Sequence, residues 1–305
     1  MKTIYMTGKQ TGWMRLLCAA LFSLATLAAQ AAEKIIITGA SGGFATETIE
    51  ALLARGVKPA DLILVTRTPE KTPELQQLAA KGAAVRKGDF NDPASLPAAF
   101  AGGNRILVIS TSGGGDRVAQ HTNAFVAAKK AGVRQALYTS YVNADDPTPL
   151  SRDHKLTEEA LKQSGLQYTI LRNEIYADRM VEEGARAIAA GELASSSPDR
   201  HGAPFVRKDG AAAAAAILTT AGHENLTYDI TGPELVSDRD FAAILTEITG
   251  KPVKVIVRPV NPAFGSPKEG HVSGVIEQLT GKKPTSVREL LTANKDKLLS
   301  GAPPR

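Results

Sequence analysis

Lys34-Ile-Ile-Ile-Thr38-Gly39-Ala-Ser-Gly42-Gly43-Phe44-Ala45, continuing through Thr46–Arg55 to Leu62-Ile-Leu-Val-Thr66-Arg67, decides the fold of this 305-residue chain. Ile35–Thr38 is a β-branched apolar run too short for a helix, so it reads as a buried strand. The glycines follow at once, and Ile49, Leu52 and Leu53 then recur at helical spacing before a second apolar strand over 62–66. Strand, glycine loop, helix and strand in this order make the opening half of a dinucleotide-binding fold. There the backbone approaches a pyrophosphate lying over a helix N-terminus. Gly39, Ser41, Gly42, Gly43 and Phe44 are the loop residues placed to hold it; the alternative is an ordinary turn between strand and helix.

The end of the second strand selects the nucleotide. An NAD site carries an Asp or Glu there, about 20 residues past the glycines, to bind the ribose hydroxyls. This chain has Val65-Thr66-Arg67-Thr68 and no acid. The planar fork of Arg67 suits a 2′-phosphate, whereas a solvated arginine at a strand end is the plainer reading. The missing carboxylate favours NADP.

The first 31 residues stand apart. Lys2, Lys9 and Arg15 precede an apolar stretch over 16–29, and Ala29-Gln30-Ala31 has the small-x-small form of a signal cleavage site. The stretch is short for a membrane span, so a cleaved signal and a periplasmic or secreted protein are expected; a cytoplasmic protein is the alternative if the signal is not used. A start at Met14 would leave a compact signal from Met14 to Ala31. No twin arginine marks export of a folded protein. Removing residues 1–31 leaves 33 basic against 31 acidic residues and lowers the net charge from +5 to +2. The net charge then says little about partners; no basic cluster suggests nucleic acid, so none is expected, and no later segment is apolar enough to span a membrane. Cys18 and Trp13, the chain's one cysteine and one tryptophan, leave with the signal. The mature chain then has no thiol nucleophile, disulfide or thiolate metal site.

The strand–helix alternation continues. The pattern predicts helices over 73–81, from Pro93, over 118–131 and over 151–164, and strands over 84–86, 105–110, 135–140 and 167–172. Asp92 is placed to cap the helix that begins at Pro93. Six such strands imply an α/β fold, a Rossmann-type, doubly wound parallel sheet. Beyond Asn173 the pattern loosens into helices over 210–221, 237–248 and 287–299 and short strands over 228–231 and 253–257. The expected organisation is a signal over 1–31, an NAD(P)-binding domain over 32–172, and over 173–305 a smaller substrate-covering lobe with segments returning to the sheet.

Taken together, Ile37-Thr-Gly-Ala-Ser-Gly42, Val65-Thr-Arg67, Lys87-Gly-Asp89, Gln120-His-Thr-Asn123, Ala128-Lys-Lys-Ala-Gly132-Val133, Tyr138-Thr-Ser140 and Tyr168-Thr-Ile-Leu-Arg172-Asn173 resemble the NmrA-like branch of the atypical short-chain dehydrogenases, above all its NAD(P)H:quinone oxidoreductases. Tyr228-Asp-Ile-Thr-Gly232-Pro233 and Leu279-Thr-Gly281-Lys-Lys-Pro284 extend the likeness over nearly the whole mature chain. The resemblance implies NADPH as cofactor, a small quinone-like substrate, and Asp89 and Thr111 beside the nucleotide. Two features depart from it: Ala45 replaces the third glycine, and the Val260–Gly270 segment is shorter than in the quinone reductases.

The Ser-Tyr-Lys set of ordinary short-chain enzymes is missing, since Ser140-Tyr141 is followed at the required spacing by Asp145. His154 falls where related reductases carry a catalytic lysine, and a near-neutral histidine can protonate a developing oxyanion. The alternative is a histidine that orders the start of its helix, with Lys155 as a weaker candidate acid. Tyr141 and Asn143 follow the fifth strand and Asn173 and Tyr176 the sixth, at the carboxyl ends where open α/β sheets bind ligands. These four are the expected substrate-binding residues. His121 and Asn123 read as structural, and no histidine grouping has metal-ligand spacing. The function expected is hydride transfer from NADPH to a quinone or similar acceptor. The rival is an NADP-binding redox sensor without turnover, which the missing catalytic set and the short 260–270 segment favour.

Overall fold

The computed structural model describes residues 33–111, 115–259 and 268–300. The expected signal with Trp13, Met14 and Cys18, part of the glycine-rich loop after Thr111, and most of the 260–270 segment lie outside the described residues.

The body from Lys34 onward is built on β1 (Ile35–Thr38), β2 (Leu62–Thr66), β3 (Ala84–Lys87), β4 (Arg105–Val108), β5 (Gln135–Tyr141), β6 (Gln167–Asn173) and β8 (Leu226–Ile230). They form one parallel sheet in the order β3-β2-β1-β4-β5-β6-β8. Order reverses between β1 and β4, the point at which a doubly wound sheet opens a crevice at its carboxyl edge. Alternation along the central strands sorts two cores. Ile35, Ile37, Leu62, Leu64 and Leu107 face α1 (Gly43–Ala54), α2 (Pro73–Ala80) and α7 (Arg207–Thr219). Ile36, Ile63, Val65, Ile106 and Val108 face α3 (Leu96–Phe100), α4 (Arg117–Lys130) and α5 (Pro149–Gln163). Burial on both faces is why β1 and β2 are continuous apolar runs. The alanines at 211 and 213–216 are all buried and let α7 pack closely on the sheet beside α1.

A third core lies among α6 (Asp178–Ala190), α8 (Asp238–Thr249), α10 (Val287–Ala293) and α11 (Lys295–Ser300), with Leu193 of β7 (Glu192–Ser195). β7 pairs in parallel with β9 (Lys254–Val257). The short α9 (Val275–Thr280) packs Ile276 against the first core instead.

The sheet has seven strands, the seventh, β8, overlapping the short strand expected over 228–231. Other sequence expectations change. The run over 287–299 is two helices, broken where Asn294 ends α10 and accepts the Leu298 N–H at 3.0 Å. The helix over 178–190 was not expected. The capping signals hold: Asp92 accepts from the Ala94 N–H at 3.2 Å, and Ser237 and Asp240 form a reciprocal capping box.

Candidate active site

The glycine loop is a cradle without side chains. Gly39 has φ +59°, in the left-handed region that glycine enters without strain. This turn lets the Gly42 N–H reach the Gly39 carbonyl at 2.8 Å, while the Ala40 N–H ties the loop to Val65 O at 3.0 Å. Gly42 is the N-cap of α1 and offers no side chain to the first-turn N–H donors. Helices leave those donors unmatched unless a cap or ligand accepts from them, and the helix dipole makes an anion the favoured ligand. Thr38 holds the crevice at the switch point: its hydroxyl donates to Leu107 O (3.0 Å) and accepts from the Ile109 N–H (3.1 Å).

Arg67 follows β2 at the same edge, exposed and with no ion-pair partner among the described residues. Ser41 reaches across to Thr66 beside it, Oγ to Oγ1 at 3.2 Å. Open first-turn donors and a free guanidinium fit a pyrophosphate and a 2′-phosphate.

Asp89 and Thr111 follow β3 and β4 at this edge, each in a hydrogen-bonded loop. Asp89 Oδ1 accepts from the Asn91 N–H at 2.9 Å, closing its own turn. Thr111 donates its hydroxyl to Gln120 Oε1 (2.8 Å) and its N–H to His121 Nε2 (3.0 Å). Both are partly exposed, and these bonds order the loops that carry them.

Tyr141 and Asn173 are register partners across β5 and β6. Asn143 donates to Tyr141 Oη at 3.5 Å. Asn173 is 5% exposed, and its Oδ1 is buried with no hydrogen-bond partner among the described residues. An orphaned buried carbonyl costs about 1–3 kcal/mol. The Tyr176 hydroxyl is pushed up to about 12 by burial, partly offset by the Asn173 amide beside it. The Tyr176 ring stacks on Phe44 at 6.0 Å and 23°, and meets Phe205 edge-on at 5.2 Å. Phe44 belongs to the first turn of α1, so one aromatic contact joins the expected cofactor side to the expected substrate side.

His154 does not have a proton donor's surroundings. It is 5% exposed; its Nε2 faces the Arg117 guanidinium at 3.2 Å and its Nδ1 the Tyr138 hydroxyl at 2.9 Å. Arginine can only donate, so the network assigns the proton to Nδ1 and leaves the ring neutral. Burial, then the charge of Arg117, then His121, lower its pKa to about 3. His121 is placed alike: Nε2 accepts from Thr111, Nδ1 faces Thr157 Oγ1 at 3.4 Å, and burial with Arg117 brings it to about 3. The two rings flank Tyr138 and bind the loop after β4 to α4, α5 and β5. Buried between Arg117 and Tyr138, with both ring nitrogens engaged and burial lowering its pKa, His154 stands in the surroundings of a neutral residue of this network.

The other candidates for proton transfer are engaged. Ser140 donates to Glu158 Oε1 at 2.6 Å, and Glu158, itself 2% exposed, takes both arms of Arg172 at 2.9 and 2.7 Å. Arg172 also reaches Asp145 at 3.2 Å, and Lys155 pairs with the same carboxylate at 3.4 Å. This ladder pins the turn after β5. Asn123 donates to Phe90 O at 3.0 Å, a structural tie between α4 and its neighbouring loop.

A family profile described as NAD(P)H-binding matches residues 39–221. The chain belongs to that family. It is 38% identical over 220 residues to quinone oxidoreductase 2 of Escherichia coli K12, covering 72% of this chain and 76% of the relative. An NmrA-like family domain-containing oxidoreductase of Aspergillus flavus is 27% identical over 245 residues, 75% of each chain. An E. coli NADPH-dependent quinone oxidoreductase, solved in complex with NADPH, superposes with a TM-score of 0.75 at 31% identity, over 85% of this chain and 99% of that one. The NmrA-like resemblance and the Rossmann-type sheet are thus shown, and the chain is an NAD(P)H-dependent oxidoreductase by family.

Three residues at the site escaped the sequence reading. Arg117 and Tyr138 set the state of His154, and Arg207 lies against Gly43. Tyr138 stood within a quoted family segment, but nothing local marked the two arginines.

Proposed function

We propose that this protein is an NADPH-dependent reductase that passes hydride to a quinone or a similarly flat small acceptor. The observation that carries the reading is the Phe44–Tyr176 stack. Phe44, buried in the core, backs the partly exposed Tyr176 ring, so the stack links the first turn of the glycine-loop helix to the segment that follows Asn173. A partly exposed aromatic ring so placed suits a planar acceptor laid against a nicotinamide, and hydride transfer asks the protein chiefly to position the two. Bound NADPH would supply the hydride, and one proton from water completes the hydroquinone. The chain's own work is then to bind, orient and exclude water, which accords with a neutral, buried His154. The sensor reading gains no support from relatives named as oxidoreductases.

The test is oxidation of NADPH and of NADH by the purified protein with a simple benzoquinone, on wild type and Arg67→Ala. Wild type should turn over well above the uncatalysed rate and prefer NADPH. Arg67→Ala should weaken NADPH by about tenfold or more, the scale of a lost charge-assisted pair, and leave NADH unchanged. No turnover across a panel of quinones would overturn the enzyme reading. An equal change for both nucleotides would overturn the role of Arg67.

We further propose that the chain is exported and cleaved after Ala31, on the pattern of residues 1–31. Intact-mass measurement on protein from native cell fractions should find a chain beginning Ala32-Glu33. A full-length cytosolic species would overturn this and remove the need for an NADPH supply outside the cytosol.

A further inference from the structure

Helices α1 and α7 lie on the same face of the sheet. α1 follows β1 and α7 leads into the parallel strand β8, so both direct their amino ends toward the carboxyl edge of the strands. Arg207 is the first residue of α7. Its Nη1 stands 2.5 Å, and its Cζ 3.3 Å, from the point a Cβ on Gly43 would occupy. The guanidinium thus fills the space left by the missing side chain, and its Cζ lies 5.4 Å from the centre of the Tyr176 ring.

That guanidinium is poorly matched. Its nearest acid is Glu47, with Nη1 to Oε1 at 4.0 Å, beyond hydrogen-bond range. The other oxygen of Glu47 is buried without a partner among the described residues, and burial followed by the charge of Asp178 raises the pKa of that carboxyl. Asp178 itself accepts from the Arg207 backbone N–H at 2.8 Å, capping α7. Among the described residues, the five side-chain N–H donors of Arg207 have no acceptor, although the side chain is only 27% exposed. They stand beside the first turn of α1, whose own N–H donors lack a cap. Two positive features meet here, faced by Glu47 at 4.0 Å and by an Asp178 already engaged with a backbone N–H, and the unbonded guanidinium suits an anion.

We propose that Arg207 is a pyrophosphate-binding residue, reaching from the second half of the chain over Gly43 to the nucleotide held by the glycine loop. The proposal rests on the nucleotide-binding reading above and adds a division of labour. Arg67 takes the phosphate that only NADPH carries; Arg207 takes the group that NADPH and NADH share.

The experiment is titration of both nucleotides against Arg207→Met and Arg67→Ala, with circular dichroism and thermal melting of each free protein. Arg207→Met should weaken NADPH and NADH by the same factor, about tenfold, as expected for one charge-assisted contact. Arg67→Ala should weaken NADPH alone. If Arg207→Met does not fold, Arg207→Lys is read in its place. It keeps the stem and the charge but loses the fork, and should weaken both nucleotides by about threefold. Unchanged affinities in a folded variant, or a loss confined to NADPH, would overturn the proposal. Wild-type protein that binds neither nucleotide would instead overturn the nucleotide-binding reading.

Discussion

Gly42→Val should abolish nucleotide binding and leave the fold in place. Gly42 sits at φ −87° and ψ 154°, a conformation open to any residue, so the backbone itself does not require glycine there. A Cβ would lie 3.2 Å from Gly39 O, which the exposed loop can relieve by shifting a few tenths of an ångström. The remaining branches would point over the first turn of α1, where an anion must approach the N–H donors closely. Losing two such charge-assisted contacts, at about 1.5–3 kcal/mol each, amounts to at least a hundredfold in affinity. Titration of NADPH alongside far-ultraviolet circular dichroism is the check. Retained binding with native dichroism would mean that the loop is a turn and the nucleotide lies elsewhere. Gly39 differs, because its positive φ strains any other residue and substitution there should lower stability as well.

The contrast between these two glycines shows what the sequence could carry. The first half of the chain was legible because the central strands β1 and β2 are buried throughout and show as apolar runs, and because the helices over 117–130 and 149–163 are followed by Gly132 and Gly165 at positive φ. α6 was overlooked although its apolar face recurs at helical spacing through Met180, Val181, Gly184, Ala185, Ala187 and Ile188. A Cβ on Gly184 would lie 2.8 Å from Leu245 and 3.0 Å from Leu298, so small residues there allow close approach of the neighbouring helices. The break at Asn294 was invisible for a related reason, since Val287–Leu299 keeps its spacing across the join.

At the site, the placement of the glycine loop and Arg67 at one sheet edge could be read because both lie within one βαβ unit. The surroundings of His154 could not. Its environment comes from Tyr138 on β5 and Arg117 on α4, and nothing in residues 151–164 reports that both ring nitrogens are engaged. The position resembled that of a proton donor, while the fold buries it between Arg117 and Tyr138. Arg207 is the same lesson in reverse, a side chain far along the sequence whose value lies in meeting Gly43.

Acid should destabilise this protein well before its carboxylates titrate, and the two buried histidines are the reason. His121 and His154 both have native pKa values lowered to about 3, against about 6.5 in an unfolded chain. Groups depressed in this way favour the folded state fully above the unfolded value. Below pH 6.5 the unfolded chain takes up protons that the native rings refuse, and stability falls progressively toward pH 3. At pH 5 each histidine should have withdrawn about 2 kcal/mol, so the pair removes about 4 kcal/mol, a large share of a typical domain's stability. Glu47, Glu174 and Glu183 act in the opposite sense, since burial raises their native pKa and lets the folded state bind protons first. They blunt the fall without reversing it if the histidine shifts are the larger. Urea unfolding at pH 8, 6.5, 5.5 and 5 measures the slope. His154→Gln keeps an acceptor for Arg117 and a donor for Tyr138 but cannot ionise, so it should be less stable at pH 8 and lose about half of the pH dependence. A slope unchanged in that variant would mean that His154 is not held neutral by the network. In that event its candidacy as a proton donor would return.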